Sequence, residues 1–331
     1  MIELEPTLTE LEPTLEVTPM TDILSQKQPR RLLPRSERWR KGGVFALLIF
    51  VTMIWGSTFL VVQHTIALVG PYTFLALRFS IGALSLGIIF HKRLARISRA
   101  EIISGSIISL FLFGSYTFQT IGLQYTTTSK AGFITGMYVP LVAMLAVPML
   151  RQRPTTGGVL GVILSMAGLF LISVNRSFQL SFDLGEYLIM GCAIATAFHV
   201  IFVSKFAPKV DAINLTIVQI AFTALFSIVA MGIAHEPFVL PVLPVWGSVL
   251  FMGVIATALA LAVMNRVQQF VSSTQATLIY ALELVWVGLL GMLVGEQLSF
   301  LAWIGCASIF LGMITGSLRL PKRSKKTEKL V

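Results

Sequence analysis

Charge is what this sequence has least of. Asp, Glu, Lys and Arg make up 12% of the 331 residues, against about 25% in a soluble domain. So few charged side chains cannot cover a globule of this size. With 55% hydrophobic residues and a mean hydropathy of +0.83, the chain is predicted to be covered by lipid instead. Cysteine is nearly missing too: Cys192 and Cys306 both sit inside apolar runs, which excludes a disulfide framework, a zinc cluster and a CxxC redox pair. There is no GxxxxGK[ST] phosphate loop, so ATP-driven transport by this chain alone is not expected. There is no HExxH zinc pair and no paired carboxylate set within an apolar run. The sequence predicts no enzyme, no cofactor and no metal.

The charge that is present is mostly positive, with a net charge of +10. In a soluble chain that would suggest nucleic acid. Here the basic residues flank apolar runs and form no recognition motif, so nucleic acid is not a predicted partner and membrane anchoring is. Residues 1–24 hold six Asp or Glu and no Lys or Arg, with LEPTL at Leu4–Leu8 and again at Leu11–Leu15. The segment lacks the apolar core of a signal peptide and reads as a disordered tail. Residues 25–42 then carry seven Lys or Arg, the pattern of a juxtamembrane anchor.

From Gly43 onward apolar runs alternate with short breaks. A span needs about 20 residues to cross about 30 Å of hydrocarbon. Ten fit: roughly 43–63, 72–91, 102–123, 131–150, 157–174, 185–204, 213–234, 243–264, 274–294 and 299–318. Numbered alternately, the loops and tails on one side hold 22 Lys and Arg. The other side holds two, Lys130 and Arg176, and Arg78 lies within the second span. Dropping one span would scramble that split. It predicts a cell-membrane protein with both termini in the cytoplasm.

The two halves resemble each other. At one offset Gln124 pairs with Gln269, Tyr125 with Phe270, Thr127 with Ser272, Ser129 with Thr274, Ala131 with Ala276, Ile134 with Ile279 and Leu145 with Leu290. A slightly smaller offset pairs Arg78 with Gln219. Each half has five spans, an odd number, so the second half enters from the opposite side. The predicted fold is an all-α integral membrane protein of ten helices in two inverted five-helix repeats, a plan many secondary transporters use to alternate access around a midplane site. The repeats are placed at 43–174 and 185–318, between cytoplasmic tails 1–42 and 319–331.

Several segments carry a family resemblance: IWGSTFL at Ile54–Leu60, LRFSIGAL at Leu77–Leu84, IGLQYTTTSKAGF at Ile121–Phe133, GVILSMAGLFLI at Gly161–Ile172, VQQFVSSTQATLIYALE at Val267–Glu283 and GEQLSFLAWIGCASIFLGM at Gly295–Met313. In this order and spacing the chain resembles the drug/metabolite transporter superfamily, EamA type, over about residues 43–318. The resemblance implies a ten-helix transporter of small organic metabolites that does not hydrolyse ATP. Proteins of this type often have Glu-Pro in the ninth span. Here Glu283 is followed by Leu284, so the proline that would break that helix is missing, whereas the fourth span keeps Pro140.

Two charges sit well inside the spans, Arg78 and Glu283, and each would cost about 2.5–3.5 kcal/mol at a span centre. Counted from opposite faces, Arg78 is about 9 Å deep and Glu283 about 14 Å, so their backbone levels are roughly 7 Å apart. Three readings follow. The two form a structural pair, or Arg78 snorkels to the surface; they bracket a zwitterionic substrate; or Glu283 couples transport to protons. Polar and aromatic candidates accompany them at same-face spacings: Tyr116 with Gln119, Thr135 with Tyr138, and Tyr280 with Glu283. The repeat offset pairs Thr135 with Tyr280 and Tyr138 with Glu283. Trp55, Trp286 and His199 complete the predicted substrate-binding set, with packing as the plainer alternative for the tryptophans and a satisfied hydrogen bond to a neighbouring helix for His199. Glycines four apart, Gly157 with Gly161 and Gly291 with Gly295, predict close helix packing. The expected function is a secondary transporter, most simply an exporter of amino acids or related metabolites. The alternatives are a carrier of nucleotide sugars and a non-transport scaffold. Substrate identity and oligomeric state are not legible.

Overall fold

A computed structural model of the chain describes residues 37–126, 128–173, 183–238, 242–293 and 299–317. The acidic tail expected at 1–24, most of the basic anchor, Arg176 and the basic tail at 319–331 lie outside the described residues. Ten helical passes follow in order. They are α1 (Glu37–Val69), α2 (Pro71–Ile89), α3 (Arg99–Gly122), α4 in two segments (Thr128–Gly136 and Tyr138–Leu150), α5 (Thr156–Ser173), α6 (Leu184–Phe206), α7 (Ala212–Ile233), α8 in three segments (Leu243–Leu250, Phe251–Leu259 and Ala260–Gln268), α9 in two (Ser273–Tyr280 and Leu282–Leu293) and α10 (Phe300–Ser317). Six helical stretches are long and apolar enough to cross a membrane, and Gly43–Thr58, Thr156–Ile172 and Phe300–Gly316 are shorter apolar helices. Large apolar side chains stay exposed along these helices, among them Ile88, Met144, Ile233 and Phe300, which in a membrane is the face turned to lipid.

The helix ends are set by local chemistry. Ser98 and Glu101 form a capping box at the start of α3, and Ser272 and Gln275 form one at the start of α9. Asp211 caps α7 by accepting from the Ile213 and Asn214 N–H groups. Two further contacts tie α2 and α7 together at opposite ends. At one end Arg93, just past α2, pairs with Asp211 at 3.0 Å, and Glu101 accepts from the Asp211 N–H and the Asn214 amide. At the other end Glu236, just past α7, accepts from the Tyr72 and Thr73 N–H groups that open α2. Gly70 makes room for that carboxylate: its φ is +81°, and a Cβ there would lie 2.6 Å from Glu236 Oε1.

The α5–α10 crossing shows how the halves relate. Gly161 meets Gly312, and Gly168 meets Gly305. Position rises on one helix as it falls on the other, so the two run antiparallel. Gly161 and Gly305 are 144 residues apart, as are Gly168 and Gly312. Each contact is therefore the repeat image of the other, and the fifth helices of the two halves lie head to tail across a local twofold. On α2 and α7, Gly82 meets Ile220 and Thr73 meets Met231, again antiparallel. The inversion expected from the odd span count is thus present in the packing. Of the glycines predicted to pack closely, Gly161 does so; Gly168, Gly305 and Gly312 extend the seam. Ser308 adds a hydrogen bond to the Leu164 carbonyl at 2.8 Å. Lipid provides no hydrophobic drive between helices, so this close backbone approach supplies the attraction.

A methyl at this seam has nowhere to go. On Gly168 it would lie 2.5 Å from the Gly305 carbonyl oxygen, whereas on Gly232 it meets nothing within 4 Å. Gly168→Ala is expected to lower stability by about 1–3 kcal/mol, and Gly232→Ala to leave it unchanged or raise it. Thermal unfolding in detergent measures both, and equal melting temperatures for the two variants would remove the seam from the account.

Candidate functional site

The helices enclose a cavity of about 90 Å³ whose lining comes from both repeats. From the first, α1 brings Trp55, Thr58 and Val62, α2 brings Arg78, and α3 brings Ser115, Tyr116 and Gln119. The two sides of the α4 break bring Thr135 and Tyr138. From the second, α6 brings Thr196 and His199, α8 brings Leu261 and Met264, and the two sides of the α9 break bring Tyr280 and Glu283. Nine of the ten residues singled out from the sequence therefore face one space.

Trp286 does not line it. Its Nε1 donates to Thr52 Oγ1 at 3.0 Å, and its Cβ lies where a side chain on Gly56 would be. It packs α9 against α1, which is the packing alternative for a tryptophan in a span.

Arg78 is 2% exposed and does not snorkel. Its guanidinium stands 4.5 Å from the Tyr116 ring centroid and 5.7 Å from that of Phe79, within cation–π range. Its Nε donates to Thr257 Oγ1 at 2.7 Å. Thr257 belongs to the middle segment of α8, which is wound as a π-helix. At the end of that segment the Ala260 N–H bonds to the carbonyls of Ile255 and Thr257, passing over Ala256. The freed Ala256 carbonyl accepts from Trp55 Nε1 at 3.0 Å. One wide turn thus anchors both Arg78 and Trp55. Trp55 in turn sits edge-on to Tyr280, with centroids 5.8 Å apart, and the Tyr280 hydroxyl donates to Gln268 at 3.1 Å.

Glu283 faces the same cavity from the other repeat. Among the described residues the ion pair formed is Arg93–Asp211, so Arg78 and Glu283 are not in contact. The Glu283 carboxylate has no hydrogen-bond donor among the described residues either. A direct structural pair between the two buried charges is ruled out in this state. The helix that brings Tyr138 to the cavity and the helix that brings Tyr280 and Glu283 both break beside these residues, α4 at Met137 and α9 at Ala281. Pro140 explains the first, since it cannot donate to the Gly136 carbonyl. The second forms with leucine at 284, so the missing proline does not prevent it.

Sequence reasoning passed over Thr58, Ser115, Thr196 and Met264. The first and third lie one turn from Trp55 and His199, so the same-face rule could have found them. Ser115 and Thr196 hydrogen-bond to each other across α3 and α6. Among the described residues no group of three His, Cys, Asp or Glu could hold a metal ion.

The model of the EamA-like transporter family matches residues 42–174 and again 183–317. The chain belongs to that family. A protein of Archaeoglobus fulgidus named as an uncharacterized transporter is 28% identical over 278 residues, covering 82% of this chain and 85% of its own. YyaM of Bacillus subtilis, also named as an uncharacterized transporter, is 24% identical over 303 residues, covering 87% of this chain and 99% of its own. A solved crystal structure aligns with a TM-score of 0.68 at 22% identity, covering 82% of this chain and 96% of its own, a likeness of fold. The protein is a multi-pass membrane transporter of the EamA kind, with a small-molecule substrate.

Thr257 is the test of how Arg78 is held. Thr257→Val keeps the shape but removes the acceptor, and a hydrogen bond to a charged group is worth about 1.5–3 kcal/mol. Thermal unfolding is expected to show a loss of that size, with Thr257→Ser near wild type. A Thr257→Val protein as stable as wild type would mean that the Tyr116 ring alone holds the guanidinium.

Proposed function

We propose that this EamA transporter is a secondary exporter of small zwitterionic metabolites of the amino-acid class, working by alternating access across the cytoplasmic membrane. The observation that carries this is an arginine and a carboxyl group facing one cavity, neither in an ion pair among the described residues. Arg78 comes from the first repeat and Glu283 from the second, and neither contacts the other. A substrate with a carboxylate and an ammonium would meet the first with one end and the second with the other. Charge-assisted bonds of this kind are about twice as strong as neutral ones. The remaining site residues, Trp55, Tyr116, Gln119, Thr135, Tyr138, His199 and Tyr280, then form its walls.

Size supports the same class. A water needs about 10–15 Å³ of such space, so about 90 Å³ has room for roughly six to nine waters, and covalently bonded atoms pack closer than waters, which brings it to the scale of an amino acid. A nucleotide sugar is several times larger, and its phosphates call for more than one cation. Arg78 is the cation in the described lining.

Alternating access fits the paired ends of α2 and α7. The Arg93–Asp211 contact and the Glu236 contact tie the two repeats at opposite ends, so one can open while the other holds. The repeats at 43–174 and 185–318 would be the moving halves. The split of basic residues supports a cytoplasmic side for the tails and the Arg93 end. Proton coupling is the second reading, favoured by the Glu283 carboxylate, which has no partner to keep it ionised.

Counterflow in liposomes with a labelled amino-acid mixture tests the proposal. Wild type is expected to show saturable uptake, and Glu283→Gln to lose at least about tenfold of it, the worth of one charge-assisted contact. Dependence on an imposed proton gradient in the wild type would add coupling. Full uptake by a well-folded Glu283→Gln protein would make the carboxylate structural and sink the zwitterion clamp.

A further inference from the structure

At and behind the cavity wall, the second repeat holds buried polar atoms that form no complete hydrogen bond among the described residues. His199 of α6 lines the cavity, Gln219 of α7 lies within hydrogen-bonding reach of its ring, and Gln219 and Asn265 stand outside the lining. His199 Nε2, both amide atoms of Gln219 and Asn265 Oδ1 of α8 are buried without a hydrogen-bond partner. Gln219 and Asn265 are fully buried and His199 is 4% exposed.

Thr216 fixes what these atoms offer. Its hydroxyl donates to the Ala212 carbonyl at 2.6 Å and accepts from Asn265 Nδ2 at 2.9 Å. Because its one proton is committed, the Asn265 amide must turn its nitrogen to Thr216 and leave its oxygen free. Thr216 is also one turn before Gln219, so Gln219 and Asn265 address the same side of α7. The free set is then two acceptors, Asn265 Oδ1 and Gln219 Oε1, and one donor, Gln219 Nε2. His199 Nε2 takes either role by tautomer.

A bare buried polar atom costs more than a formed hydrogen bond returns. Four such atoms on three adjacent helices, next to a cavity, mark a place whose partner comes from outside the chain. We propose that His199, Gln219 and Asn265 are the subsite for the substrate's side chain, and that they select an uncharged group that both donates and accepts, a carboxamide or a hydroxyl. This rests on the zwitterion reading and narrows it to amino acids with uncharged polar side chains. A side-chain carboxylate would leave both acceptors bare. An ammonium would leave the Gln219 donor bare, and an aliphatic group would leave all four. Sites built to bond a polar group reject analogues that lack it for this reason. The repeat offset adds a geometric sense: Gln219 is the counterpart of Arg78. One repeat uses that position for the substrate's charged end, and the other for its side chain.

Counterflow with labelled L-glutamine and L-leucine, each measured alone, tests the assignment. Wild type is expected to favour glutamine. The glutamine-to-leucine flux ratio should fall about tenfold in Gln219→Met, the worth of about one lost hydrogen-bonding group, and also in Asn265→Leu. Both variants are first checked for a single monodisperse peak in detergent, and Gln219→Glu keeps the shape should Gln219→Met fail that check. With Gln219→Glu the ratio should also fall, because the donor is gone. An unchanged ratio in any folded variant overturns the subsite while leaving the zwitterion clamp standing. A wild type that carries amino acids but does not favour glutamine does the same. A wild type that carries neither overturns both.

Discussion

A guanidinium buried between apolar helices has to be held, and much of this structure follows from holding Arg78. Arg78 is on α2, the ring over which it stands is on α3, and the hydroxyl that accepts its hydrogen bond is on α8. Three helices from two repeats are therefore committed to one side chain. The π-wound turn of α8 belongs to the same arrangement, since it presents Thr257 to Arg78 and frees the Ala256 carbonyl for Trp55. Wide turns of this kind cost regular hydrogen bonding and are found mostly at functional sites. Gly253 completes the fit: a Cβ there would press on the Arg78 carbonyl at 3.0 Å and on Ile81 at 2.7 Å. The guanidinium is thus fixed in place from three sides, the preorganisation that a binding site needs.

The inverted repeat explains why one cavity can draw on both halves equally. Helices on the local twofold, α5 with α10 and α2 with α7, pack as antiparallel mates. The seam of small residues on α5 and α10 contributes nothing to the cavity lining. It stands apart from the lining, which comes from α1, α2, α3 and α4 of one repeat and α6, α8 and α9 of the other. The helix breaks at Met137 and Ala281 are also counterparts, 144 residues apart. Each lets its helix present two side chains to the cavity from either side of a turn.

Much of this was legible in the sequence, because membrane burial makes polar residues informative. Arg78 and Glu283 stood out by charge alone. Tyr116 with Gln119 and Tyr280 with Glu283 followed from helical spacing. Trp286 shows where residue type alone fails. It follows Glu283 by three residues, about 300° of helix and about 60° short of a full turn, and its Nε1 bonds to Thr52 of α1. The π-wound turn left no mark, since Phe251–Leu259 reads as an ordinary apolar helix. Nor could the sequence tell that α9 breaks without proline. The break at Ala281 is settled by what packs around it: Tyr280 is held to Trp55 and Gln268 on one side, and Leu284 occupies the space above Gly132 on the other.

The differences between the repeats say more about function than their likeness. The sequence offsets pair Arg78 of α2 with Gln219 of α7, and Tyr138 of α4 with Glu283 of α9. Two identical repeats would place like charges across the axis, where they would repel each other and any substrate of the same sign. Here one repeat brings an arginine to the cavity and the other a carboxyl group, and uncharged polar side chains stand at the paired positions. The proposed two-ended substrate rests on that difference between the repeats and not on their likeness.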